Sequence, residues 1–385
     1  MPGNRIDIPV TQPYFNNEEA EALRDVLQSG WVSQGPRVAQ FEEACARCVG
    51  TQWAVATSSC TAALHLALVA LGVKEADEVL VPAFTFVATI NAIEYCRARP
   101  VFIDIDLATF NMDVNQMDSK ITKRTQAIIP VHLFGLSAQM DPILELAKKH
   151  HLLIIEDAAC ALGARYKEHP VGTFGQAGCF SFHPRKIITT GEGGLIATDD
   201  TGLAKRLRCL RSHGAESSDF ERHRGKKEFL LPAFNELGFN YRMTDLQAAV
   251  GLKQLDKLDE ILQRRIYLAQ RYTEGLGEIR GLHVPLTPPG WIHSFQSYVV
   301  LIDEDASCSR DTIATQLALE GIATRQGTHA VHALGYYRTR YGLHPEDYPC
   351  SLRADRQTLT LPLYPSMKPS DQSFVIERLR ALLCG

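Results

Sequence analysis

Phe180-Ser181-Phe182-His183-Pro184-Arg185-Lys186-Ile187-Ile188-Thr189-Thr190-Gly191-Glu192-Gly193-Gly194 is the stretch on which the reading of this chain turns. A single lysine sits between an apolar, hydroxyl-bearing run and a glycine-rich turn. Leu195-Ile196-Ala197-Thr198 follows as a strand, so the turn is expected to join two strands. A lysine packed among small residues loses hydration, which is expected to lower its pKa, and a neutral amine forms Schiff bases. The competing reading is an ordinary surface lysine in a hairpin.

Working outward, Leu152-Leu153-Ile154-Ile155-Glu156-Asp157 is an apolar strand that ends in a carboxylate, 29 residues before Lys186. Asp157 at a strand end fits an N-cap, and equally a partner for a buried cation such as a protonated pyridine nitrogen. Further upstream, the strand Ala54-Val55-Ala56-Thr57 runs through Ser58-Ser59-Cys60-Thr61 into the apolar helix Ala62–Gly72. A hydroxyl-rich turn at a helix N-terminus is an anion site, or simply a capped helix.

Strands at Glu78–Pro82, Pro100–Asp104 and Thr125–Val131 alternate with helices at Thr89–Tyr95 and Pro142–His150. Short apolar runs separated by helices predict an α/β fold with a mostly parallel sheet covered on both faces, its ligands beyond the carboxyl ends of the strands. Asn17 is expected to cap a first helix, and Thr244 with Gln247 to form a capping box before Asp245–Leu252. Helix through Asp256–Leu276 reads as a connector to a smaller α+β domain, with strands at Ser297–Ile302 and Gly321–Thr324 and helices at Arg310–Glu320 and Ser370–Leu383. The boundaries expected are a large domain with an N-terminal arm over 1–252 and a second over 253–385. Leu203–Ser212 reads as a helix whose Lys205, Arg206, Arg208 and Arg211 form a solvated basic face, and Ser217–Lys227 as an exposed, mobile loop.

The 385 residues carry a net charge of −4, with no basic footprint for nucleic acid. No run is long enough for a membrane span and Met1–Arg5 has no signal-peptide core, so a cytoplasmic location is expected. Ten cysteines sit mostly in apolar segments, as reduced thiols do. Cys45 and Cys48 lie on one helical pattern without a second pair, and His329 and His332 lack further ligands nearby, so no metal site is expected.

Five stretches taken together identify a resemblance. Ser59–Leu68, Glu156-Asp157-Ala158-Ala159, and Ser181–Lys186 with Gly191–Gly194 are joined by Gly35-Pro36 and by Gly238-Phe239-Asn240-Tyr241-Arg242-Met243. In this order they resemble the DegT/DnrJ/EryC1/StrS family of pyridoxal-phosphate-dependent sugar aminotransferases, from about Pro9 to the C-terminus. The resemblance implies fold type I, the aspartate-aminotransferase-like architecture, as a homodimer with shared sites. It assigns Lys186 as the Schiff-base lysine and Asp157 as the partner of the pyridinium nitrogen. Cys60, Thr61 and Ser181 fall at the phosphate of pyridoxal 5'-phosphate, and Phe86 on the pyridine face. Asn240 would reach the phosphate from the partner subunit, and Arg242 a nucleotide diphosphate. Cys160 stands where the family often has glutamine or histidine beside the cofactor's phenolic oxygen, and a thiol is a weaker donor. Trp31, His329 and His332 are candidate substrate contacts, with packing as the alternative for each.

The resemblance further implies a ping-pong transfer from an amino donor, L-glutamate by analogy, to a keto sugar, most simply a nucleotide-linked one. Relatives with histidine for lysine are dehydratases, and Lys186 argues against that branch. A keto-cyclitol acceptor is the leading alternative, and a regulatory protein that holds the cofactor without turnover a lesser one.

Overall fold

A computed structural model describes residues 7–216 and 232–384, so the expected loop at Ser217–Lys227 lies outside the described residues. Its centre is a seven-stranded sheet. In chain order the strands are β1 (Trp53–Thr57), β2 (Glu78–Pro82), β3 (Arg99–Ile103), β4 (Thr125–Ile128), β5 (Leu153–Asp157), β6 (Ala177–Ser181) and β7 (Gly194–Thr198). They lie in the order β1-β7-β6-β5-β4-β2-β3. Only β7 runs antiparallel to its neighbours. The hairpin expected around Lys186 is therefore the β6–β7 connection.

This topology gathers the site. Register pairs Thr57 with Gly194 and Gly194 with Ser181, and Cys179 with Asp157, so three strand ends and one strand start share a rim. Above it stands α3 (Cys60–Ala70), preceded in sequence by α1 (Asn17–Ser29) and α2 (Pro36–Val49). Cys60, Ala62–Leu68 and Ala70 are all buried, because α3 is wedged between the sheet and the helices α4 (Val87–Tyr95) and α6 (Thr201–Arg211); α5 spans Met140–His150. A helix apolar all round needs such a setting.

The first helix is capped by Asn16 rather than Asn17, and its capping-box glutamate does more than cap. Buried Glu19 accepts hydrogen bonds from Asn16 N at 2.9 Å and Gln254 Nε2 at 2.6 Å, and pairs with Lys257. This ties α1 to α7 (Asp245–Asp256), which carries the expected Thr244–Gln247 capping box. Burial pushes the Glu19 carboxyl up, but its bonds from Lys257, Asn16 and Gln254 outweigh it and leave the group below its ordinary 4.5. A depressed folded pKa adds stability that is present above the unfolded value and lost as pH falls through the folded one. Glu19→Ala should cost about 3 kcal/mol at pH 7, the scale for stranding a buried ammonium. The Tm gap to the parent protein should then narrow below pH 4.5, read from thermal unfolding across pH 7 to 3; a gap constant with pH would exclude this role.

The second unit stacks the antiparallel strands β8 (Leu282–His283), β9 (Tyr298–Ile302) and β10 (Thr358–Leu361) against helices Arg310–Leu319 and Pro369–Cys384. Four expectations change here. The connector is not continuous: it breaks at Lys257 (φ −102°, ψ 3°) between α7 and α8 (Leu258–Leu276). Gly321–Thr324 is not a strand; Ile322 makes a single bridge to Ile8. The N-terminal arm consequently packs on the second unit, with Ile8 N bonding Gly321 O at 3.1 Å and Leu363 N bonding Val10 O at 3.0 Å. Finally, Arg211 is not on a solvated face. It is buried and paired with buried Glu42, also donating to the Ala56 carbonyl, because the end of α6 turns inward behind β1.

Candidate active site

The cleft at this rim has a volume of about 600 Å³. Lys186 lies half-buried in it, its Nζ donating to Cys160 Sγ at 3.1 Å. The expected lowering of the lysine pKa is not what the site produces. Burial does lower it, but the Cys160 sulfur and the Asp157 carboxylate beside it more than offset that, and the net direction is upward from 10.5. With no cofactor attached Lys186 is thus held protonated and must lose that proton before it acts as nucleophile or base, and Cys160 is the neighbour hydrogen-bonded to it.

Asp157, the last residue of β5, is 5% exposed and faces the cleft. Thr89 Oγ1 donates to Oδ2 at 2.8 Å and Ala159 N to Oδ1 at 3.1 Å, fixing the carboxylate plane. Thr89 was legible only as a helix residue. Its neighbour Thr85, whose hydroxyl lies 3.1 Å from that of Thr89, lines the same wall. Glu156 points away from the cleft, as alternation along a strand requires. It accepts from His132 Nε2 and from the N–H groups of Gly172, Phe174 and Gly175 at 2.7–2.9 Å. Ala138 N donates to His132 Nδ1, so the imidazole proton is on Nε2. This buried set holds the β5–β6 connection in place behind the site.

At the N-terminus of α3, Ser59 caps the helix by accepting from Ala62 N at 3.1 Å, as the capping reading expected. Ser59, Cys60 and Thr61 all line the cleft beside Ser181. Among the described residues no acceptor pairs with the N–H of Cys60 or Thr61, so this end of the dipole is turned to the cleft. Burial pushes the Cys60 thiol well above its usual range and keeps it neutral. The glycines divide their roles. Gly191 takes φ +83° in the turn, whereas a Cβ on Gly194 would meet the Ser59 carbonyl carbon at 2.4 Å and Cys60 N at 2.6 Å. Gly194 is what allows β7 to press against the helix end.

These groups fit a pyridine cofactor carrying a phosphate: an aldehyde-reactive amine, a fixed carboxylate and a helix end with unpaired donors open on one space. Phe86, 60% exposed, stands at its edge, and His329, His183, Arg185, Glu192, Gln296 and Arg325 line the rest. Of that second group only His329 was singled out as a site residue by sequence; His183, Arg185 and Glu192 lie within the quoted stretch around Lys186, and Gln296 and Arg325 belong to no motif.

Other expected residues are not brought here. His332 is corrected: it is fully buried, donates Nε2–H to Pro345 O at 2.9 Å and packs on Tyr348, which leaves no surface for a substrate. Trp31 covers Gly35 and donates to Gln34 O at 3.0 Å. That loop is organised by Asp245, which accepts from Gly35, Arg37 and Val38 N–H at 2.8–3.0 Å and so caps α2 from a distance. Asn240 and Arg242 lie outside the cleft of their own chain, on a segment where Phe239 and Tyr241 stack and Tyr241 meets His65.

The profile of the DegT/DnrJ/EryC1/StrS aminotransferase family matches residues 13–380. The spore coat polysaccharide biosynthesis protein SpsC of Bacillus subtilis is 40% identical over 380 residues, covering 98% of this chain and 97% of that protein. GDP-perosamine synthase of Caulobacter vibrioides is 38% identical over 381 residues, covering 98% of each. Among solved structures, the aminotransferase TlmJ from Streptoalloteichus hindustanus superposes with a TM-score of 0.89 at 34% identity, covering 97% of this chain and 98% of its own.

Proposed function

The chain belongs to the DegT/DnrJ/EryC1/StrS aminotransferase family and is a pyridoxal-phosphate-dependent sugar aminotransferase, and from that premise we propose that it moves the amino group of L-glutamate onto a nucleotide-linked keto sugar by a ping-pong cycle. The observation that carries this reading is the convergence of Lys186, Asp157 and the open end of α3 on one cleft. When bound, the cofactor supplies an electron sink for the bond broken at the amino-bearing carbon. Asp157 would keep a proton on the cofactor's ring nitrogen, and Thr89 fixes the Asp157 carboxylate by donating to it at 2.8 Å. The N–H groups of Cys60 and Thr61, with Ser181, would hold the phosphate. Lys186 would hold the cofactor covalently and, released as the neutral amine, would act as a positioned base that takes up and returns a proton at Nζ. Cys160 holds Lys186 Nζ against that wall. Phe86 would cover the cofactor ring, and His329 would border the sugar.

The reading includes a homodimer, in which Asn240 and Arg242 would serve the partner subunit's cleft. The division into a cofactor-binding part over 1–252 and a smaller part over 253–385 remains part of this proposal, with the arm packed on the smaller part and the helix Asp245–Asp256 crossing the boundary. Among the described residues no helix is long and apolar enough to cross a membrane, and a cytoplasmic site of action fits the nucleotide-sugar substrate.

The test runs the two halves separately. L-Glutamate alone should discharge the visible absorbance of the lysine-bound cofactor, and a nucleotide-linked amino sugar from a panel should restore it. Restoration by an aminocyclitol and by no nucleotide sugar would transfer the reading to cyclitols. No discharge by any amino acid would remove the enzyme reading.

A further inference from the structure

The cleft contains two arginines that no carboxylate answers. Among the described residues neither Arg185 nor Arg325 forms an ion pair, whereas Arg211, Arg353 and Arg378 each meet an acidic partner. Arg185 is exposed and adjoins Lys186. Arg325 is half-buried, its Nε is buried with no acceptor, and Nη2 reaches only Ser297 Oγ at 3.4 Å.

Neither position is accidental. The Arg325 backbone is clamped to β10 by bonds in both directions with Thr360, at 3.3 and 2.7 Å. Ser297 Oγ donates to Gln296 Oε1 at 3.1 Å, and Gln296 Nε2 donates to the Arg185 carbonyl at 2.6 Å, so one chain of bonds links the two arginines. From behind, buried Arg265 donates to the carbonyls of Phe295, Gln296 and Leu363, each at 3.2 Å. A bracket this fixed holds Arg325 on the wall that also carries Cys160. Burial and the Arg185 charge push the Arg325 guanidinium down from 12.5, with the Cys160 sulfur opposing.

A guanidinium kept partly desolvated with an unpaired N–H is unfavourable until an anion reaches it. The cofactor phosphate would be taken by the end of α3. The diphosphate of a nucleotide sugar is separated from its keto carbon by the sugar itself, so it lies away from Lys186 when that carbon is placed to react. The α-carboxylate of an amino acid sits on the same carbon as the amine, two covalent bonds from the reacting nitrogen. We propose that Arg325 is the seat of the amino donor's α-carboxylate, with Gln296 and Ser297 positioning it and Arg185 adding to the local field. Arginine suits the task because its planar fork matches a carboxylate. The inference rests on transamination at Lys186, and selects α-amino acids over simple amines as donors.

The experiment compares L-glutamate with L-isoglutamine, its α-carboxamide, in the donor half-reaction of the holoenzyme, for the parent protein and Arg325→Met. The parent should prefer glutamate by about 10²-fold, the scale of one charge-assisted bond pair. Arg325→Met should lose that preference, mostly through the half-saturation for glutamate, and Arg325→Lys should recover part of it. A calorimetric titration with glutarate, which has no amine and cannot react, reads the seat without chemistry, and Arg325→Met should weaken it at least tenfold. Circular dichroism controls for folding. A variant that keeps the preference, or binds glutarate as the parent does, overturns the proposal; so does loss of GDP, UDP or dTDP binding with glutarate binding intact. Were the parent protein to discharge with no amino acid, the transamination reading would fail, and glutarate binding would still decide whether Arg325 seats a carboxylate.

Discussion

Lys186→Ala is expected to lower amino transfer by about 10⁴-fold or more, since one side chain supplies both the covalent anchor and the proton carrier. The fold should persist. The Lys186 side chain makes one side-chain bond, to Cys160, and its loop is held by backbone bonds such as Lys186 N to His183 O at 2.8 Å, which alanine keeps. Thermal unfolding without cofactor should therefore shift little while the glutamate half-reaction collapses. Borohydride reduction of the parent protein should fix the cofactor on the peptide containing Lys186 and nowhere else. Added methylamine, small enough to enter the space left by the side chain, should restore a fraction of proton transfer. Turnover within tenfold of the parent, or a label on another lysine, would sink the assignment.

The second large effect is expected at Asp157. Asparagine has the same shape but no charge, and its amide nitrogen presents donors where an acceptor is needed. Asp157→Asn should retain cofactor at saturating concentration, because the α3 end and Lys186 are untouched, yet slow the glutamate half-reaction by roughly 10²- to 10⁴-fold. Removing the negative charge also removes one of the influences that raise the pKa of free Lys186, so that pKa should fall in the variant. Thr89→Val makes the useful comparison. It deletes one hydrogen bond to the carboxylate, worth about 1 kcal/mol and hence several-fold in rate, and leaves the charge in place. Equal losses in the two variants would mean that the charge is not what matters.

Both residues were readable from the chain because their chemistry is tied to local pattern. Asp157 closes an apolar strand, and Lys186 stands between a strand and a glycine turn. Thr89 could not be read that way: its hydroxyl acquires meaning only because α4 is laid across the end of β5, 68 positions away in sequence. Arg325 and Gln296 are harder still. Neither belongs to a motif, and they meet the β6–β7 connection only because the second unit folds back over the cleft.

The errors have the same origin. His332 and Arg211 are polar residues whose one-dimensional context suggested a surface. Burial is decided by what packs on top, and in each case distant segments, Tyr348 and Pro345 for the first, Glu42 and Ala56 for the second, supply the partners that make burial affordable. The lysine pKa was misread for a related reason. Desolvation alone lowers it, and the opposing neighbours are Cys160 and Asp157, which lie 26 and 29 positions upstream and meet Lys186 only in the folded cleft.

The sequence by itself determined the α/β class, the order of the strands along the chain, a capped helix start after Ser58-Ser59 and the cap at Thr244, whereas the joint roles of Lys186 and Asp157 came with the family resemblance. The class, the order and the caps follow from periodicity, turn chemistry and local hydrogen bonding, which act over a few residues. Only the tertiary structure decided which rim the groups share, which histidines face the cleft, which glycine must lack a side chain, and where two guanidiniums have no carboxylate partner among the described residues. Those outcomes depend on close approach between segments far apart in the chain, where a tenth of the packing distance separates contact from clash and no local pattern records the result.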